Sequence, residues 1–162
     1  MSDAFDRIWS AAAGVIGIAV FLAVMWAVAR TYSVMWQRVS RPYRRVRKTG
    51  TGTTKLETIV VAQRGTLRPF NAQARQYAGT LLSVSNSGLS LSLIPIPPLN
   101  LFAPPIFLPF DEMTLVGTSW ALWPEPFAIR MKRLPNVDII LARDTVSWIR
   151  AQTQQPPFGW DV

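Results

Sequence analysis

The pattern of apolar and polar positions changes period twice along this chain. Ile8–Ala29, IWSAAAGVIGIAVFLAVMWAVA, runs 22 residues without a charge. As a helix it is roughly 33 Å long, enough for a hydrocarbon core of about 30 Å. Trp9 and Trp26 lie near its two ends, where interfacial aromatic side chains belong. The pattern predicts a transmembrane helix. Ala27-Val28-Ala29 has the form of a signal-peptide cleavage site. The preceding flank is acidic, however, with Asp3 and Asp6, and the run exceeds the roughly 7–15 apolar residues of a signal sequence.

Past Arg30 the helical period continues to about Ser40, with Tyr32, Met35, Trp36 and Val39 on one side. Pro42 should stop or kink the helix. Thr49-Gly50-Thr51-Gly52-Thr53-Thr54 then reads as a linker. From residue 55 the period falls to that of strands. Leu56–Ala62, Gly79–Ser85, Leu89–Ile94, Ile106–Phe110, Met113–Trp120, Phe127–Lys132 and Val137–Leu141 are the expected strands. A hairpin is expected at Asn86-Ser87-Gly88 and a turn at Leu134-Pro135-Asn136. Asp144–Gln152 predicts a closing helix, capped by Asp144 or Thr145, with Val146 and Ile149 facing inward. The expected fold is a single N-terminal transmembrane α-helix, then a small antiparallel β-barrel or sandwich with a C-terminal helix. Its divisions are an N-terminal flank and membrane helix (1–29), a basic juxtamembrane helix and linker (30–54), a β domain (55–153) and an apolar tail (154–162).

Charge changes this picture in one place. The net charge is +8, and the whole excess lies in residues 30–65, where nine basic side chains face only Glu57. A nucleic-acid-binding domain spreads Lys and Arg over a folded face, so no nucleic-acid partner is expected. Seven basic residues lie between Arg30 and Lys48, and one precedes the apolar run. The positive-inside rule then puts the amino terminus in the periplasm and residues 30–162 in the cytoplasm of a bacterial inner membrane. Arg38, Arg41, Arg44, Arg45, Arg47 and Lys48 can set topology alone, attract anionic lipid headgroups, or meet an acidic partner surface. Ala13, Gly14 and Gly17 are small enough to admit a neighbouring helix, although they form no GxxxG motif.

The chain lacks cysteine and histidine. That excludes thiol and Ser-His-Asp nucleophiles, Cys/His zinc, and His-ligated haem. Asp111 and Glu112 are adjacent and would point to opposite faces of a strand, so they make no acid/base pair. An enzyme is not expected, nor a cofactor, metal or small-molecule substrate. Ile94–Phe110 has six prolines and no charge. Its apolar side chains either fill the core or dock on a partner. Leu101, Phe102 and Phe107 there, with Phe158 and Trp160 of the tail, are the candidate docking residues, and at least one of the two segments is expected to contact another chain. Tryptophans 120, 123, 148 and 160 are expected core or interface anchors.

The order of strands and closing helix resembles a pleckstrin-homology-like fold. Gly88-Leu89-Ser90-Leu91-Ser92-Leu93 and Ala103-Pro104-Pro105-Ile106-Phe107-Leu108-Pro109-Phe110-Asp111-Glu112-Met113 are similar to small bacterial membrane-attached proteins of unknown function. Those typically read "GLYLS … HPPLFIPW-x-EI". Ala103 stands here in place of the histidine and Phe110 in place of the tryptophan, while Glu112 fits. The resemblance covers about residues 78–120 and implies a fold but no activity. The plan of one span and a cytoplasmic β domain is also similar, in architecture alone, to the H subunit of purple-bacterial photosynthetic reaction centres. These readings predict a non-catalytic accessory subunit of a larger energy-transducing membrane complex, photosynthetic or respiratory. The alternative is a free-standing, membrane-tethered module that binds a peptide or anionic lipid.

Overall fold

Helix α1 takes in all of the apolar run and passes beyond it without a break, from Ser2 to Tyr43. The computed structural model describes residues 2–43 (side chains at 9 and from 12 onward), 53–65, 73–94 and 102–153. From Ala12 to Tyr43 the helix is long and apolar enough to cross a membrane. Pro42 lies inside the last described turn of the helix.

Seven strands follow: β1 Thr54–Gln63, β2 Ala74–Ser85, β3 Gly88–Leu93, β4 Ile106–Pro109, β5 Met113–Gly117, β6 Phe127–Met131 and β7 Leu134–Leu141. Helix α2, Arg143–Gln152, closes the described chain. The strands form one antiparallel sheet in the order β4-β3-β2-β1-β7-β6-β5. The edge strands β4 and β5 are consecutive in sequence and separated only by a 3-10 turn, Phe110–Glu112. Joining opposite edges through three residues requires the sheet to curl, and it forms a half-barrel. This is the expected plan of an apolar N-terminal helix, a small antiparallel barrel-like sheet and a C-terminal helix.

The concave side holds the main core. Ile59 and Val61 of β1, Tyr77 and Leu82 of β2, Ile139 and Leu141 of β7, and Val146 and Ile149 of α2 are buried in it. The lower half of α1 joins them through Met35, Trp36, Val39 and Tyr43. The division drawn at Arg30 therefore falls inside one helix, and the face marked by Tyr32, Met35, Trp36 and Val39 packs on the half-barrel. Alternation along β1 and β7 sends Val60, Ala62 and Ile140 to the other face. There they meet Ala74, Trp120 and Trp123, so the two central strands are covered on both sides.

Four local expectations are corrected. Asp111 and Glu112 lie in the 3-10 turn and not in a strand. β5 ends at Gly117, because Trp120 and Trp123 bridge each other within the following loop. The turn before β7 is at Lys132-Arg133. Pro135 sits inside β7 at an irregularity, between the pairs Met131↔Leu134 and Arg130↔Asp138, where no ladder donor is needed. The residue before α2 is Ala142, without a side-chain cap. Asp144 stands instead in the first turn, where a carboxylate suits the helix dipole, and Thr145 is buried.

Candidate functional site

The junction of α1 with the half-barrel is built from a break in strand alternation. Glu57 pairs with Thr80 and Ile59 with Tyr77, so β2 carries an extra residue between them. Gly79 lies in this bulge at φ +72, a conformation that glycine adopts at no steric cost. The bulge shifts the parity of β2, so Tyr77 faces the same core as Leu82 and Val84. The Tyr77 hydroxyl accepts the Trp36 backbone N–H at 3.0 Å and donates to the Tyr32 carbonyl at 2.8 Å. These are the two groups, four residues apart, that an α-helix ladder pairs. The Tyr77 ring meets those of Tyr32 and Trp36 edge-on, with centroids 4.8 and 5.2 Å away. Burial pushes the Tyr77 phenol well above its ordinary value, which keeps the donating proton in place.

Further contacts fix the rest of this half-helix. Trp36 Nε1 donates to the Pro104 carbonyl at 2.7 Å, and Gln37 Nε2 to that of Phe102 at 3.3 Å. At the lower end the Arg133 N–H donates to the Tyr43 hydroxyl at 3.1 Å. The Arg133 guanidinium donates to the Pro42 carbonyl, lies over the Tyr43 ring and pairs with Glu112.

The opposite face of the same half-helix carries the described basic residues. Arg30, Arg38 and Arg41 are exposed, and Arg30 lies 5.1 Å over the Trp26 ring. Arg44, Arg45, Arg47 and Lys48 fall outside the described residues. Ala13, Gly14 and Gly17 are exposed on the upper half, with open space around both glycines. The described residues of the proline-rich stretch differ in burial. Ile106 and Leu108 are core, Ala103 is buried, and Phe102 and Phe107 are half-buried. A Cβ at Gly88 would stand 2.3 Å from the Leu108 carbonyl oxygen and 2.8 Å from the Phe107 ring, so glycine there lets β3 and β4 close. Leu101, Phe158 and Trp160 lie outside the described residues. Trp120 and Trp123 cover the convex face, and Trp148 is half-buried against the main core.

Two features had no weight in the sequence reading. One is Tyr77, whose only local signal is the glycine two residues on. The other is a groove of about 710 Å³ between α2 and the β5–β6 connection, lined by Thr118, Ser119, Phe127, Arg143, Val146 and Arg150 among others. At its rim Glu125, at φ 46, pairs with Arg143. Asp138 is buried between Arg64 and Arg130, at 3.4 and 3.7 Å. Among the described residues no three Asp or Glu side chains gather as metal ligands would.

Comparison of the chain with protein-family models, with curated proteins and with solved structures finds no match. The fold and the junction therefore stand alone in defining its class. It is a curled, antiparallel, seven-stranded half-barrel into which a helix of membrane-spanning length and apolarity is built.

Proposed function

We propose that this chain is a single-span accessory subunit, without catalysis of its own, that braces a larger complex of the bacterial inner membrane. The observation that carries this reading is the unbroken passage of α1 into the core, with Trp36 fully buried there. A flexible tether would leave the β domain free to turn under the membrane. A helix continuous with the core instead holds the domain at a fixed height and orientation, which suits a brace better than a mobile binding module. The seven-to-one excess of basic residues after the apolar run sets the amino terminus outside and the β domain in the cytoplasm. The architectural similarity to reaction-centre H subunits favours an energy-transducing complex. In mild detergent the protein should migrate with a large assembly, and mass spectrometry should find the same co-purifying chains in repeated preparations. Migration as a small single species would overturn the reading.

The groove beside α2 favours a second reading, a tethered module whose half-barrel takes a peptide. It predicts the small species in the same experiment.

A further inference from the structure

The face of α1 turned away from the β domain is continuous from the apolar run into the lower half-helix. Ala23, Ala27, Arg30, Val34, Arg38 and Arg41 recur along it at spacings of three and four, and all are exposed. The opposite face is taken up by the core. No described ion pair uses Arg30, Arg38 or Arg41, and residues 30–43 contain no acidic side chain.

Three occupants compete for this face. Lipid headgroups can reach Arg30, at the end of the apolar run. Arg41 lies eleven residues further on, about 16 Å along the axis, whereas the headgroup layer is about 5–8 Å deep on each side. An ordinary tilt of about 20° shortens that distance little. A second copy would insert with the same orientation, so pairing through this face would be parallel. It would set each arginine against its own counterpart, which like-charge repulsion opposes. A different chain with carboxylates just beyond the bilayer meets neither objection. Ala23 and Ala27 would let its backbone come close within the membrane.

We propose that this face of α1 seats a transmembrane helix of another protein whose extension past the bilayer places Asp or Glu opposite Arg38 and Arg41. This rests on the accessory-subunit reading and names the chemistry of the partner.

The chain has no cysteine, so Val34→Cys gives a unique attachment point in the middle of the face. The variant is labelled in native membranes with a benzophenone maleimide and irradiated. The expected product joins it to a second membrane protein, at a peptide that leaves a transmembrane helix and contains Asp or Glu. In the V34C/R38E/R41E protein the yield should fall about tenfold, and Lys in place of those partner carboxylates should restore it. R38Q/R41Q, which adds no opposing charge, should give a smaller loss. Both arginines are exposed, and circular dichroism would check that the variants stay folded. A product made only with a second copy or only with lipid, or a hetero-product indifferent to R38E/R41E, overturns the proposal. Native size is read from the same membranes. A large assembly with one of those outcomes removes this proposal alone, whereas a small species removes the accessory-subunit reading as well.

Discussion

The Tyr77 hydroxyl accepts the Trp36 backbone N–H at 3.0 Å, so a side chain of β2 is hydrogen-bonded into the backbone of α1. With its donation to the Tyr32 carbonyl, one phenol oxygen fastens the half-barrel to the helix at two points. Tyr77→Phe keeps the ring contacts and removes both hydrogen bonds. It should lower stability by about 1–3 kcal/mol, read as a lower denaturation midpoint with an unchanged slope in detergent. An unchanged midpoint would mean that these bonds add nothing to the junction.

Alkaline pH provides a separate test of the same group. Burial raises the folded-state pKa of Tyr77 above its unfolded value of about 10. The folded state then holds this proton more tightly than the unfolded state. The associated stability is fully present below about pH 10 and is lost as pH climbs from there toward the folded value. The wild type should therefore lose stability more steeply above pH 10 than Tyr77→Phe does. Equal slopes in the two proteins would show that Tyr77 is not protected.

Gly79 should resist substitution for two reasons. Its φ of +72 is unfavourable for a side chain, and a Cβ there would stand 2.8 Å from Ile94 Cδ1. Gly79→Ala should cost about 1–3 kcal/mol. Adding Ile94→Ala should relieve the contact but leave the backbone strain, so the double mutant should cost less than the sum of the two single changes. Strict additivity would remove the steric part of the account.

The proline-rich stretch should divide by residue. Leu108 is buried in the core, so Leu108→Ala should destabilise the domain by about 2–5 kcal/mol. Phe102→Ser, at a half-buried position, should cost less. If Phe102 also serves a partner, that change should weaken co-purification with the assembly more than it lowers the melting temperature.

A reporter fused after Val162 tests orientation. An enzyme active only in the cytoplasm should be active there, and one active only in the periplasm should be silent. The reverse result would invert the topology drawn from the charge asymmetry.

Much of this fold is legible in the linear pattern, because helix and strand periods are local properties. An uncharged run of 22 residues marks a helix long and apolar enough to cross a membrane, and alternation marks each strand to within a few residues. The inward face of the lower half-helix is equally local, since Tyr32, Met35, Trp36 and Val39 share a side at any helical period. Their partner is not local. Those residues meet Tyr77 and Pro104, 41 and 68 positions downstream of Trp36, and no period links such distances. The parity of β2 changes at Gly79 because of a bulge, and a glycine in a strand run signals a bulge only once the pairing strand is known. Pro135 reads as a turn because its ring removes a donor, yet the sheet leaves an irregularity where that donor is not required. The sequence by itself determined the elements and the location of the charge. Tertiary structure decided that the helix is part of the β-domain core and that the face bearing its arginines is left exposed, because both depend on contacts between residues far apart in the chain.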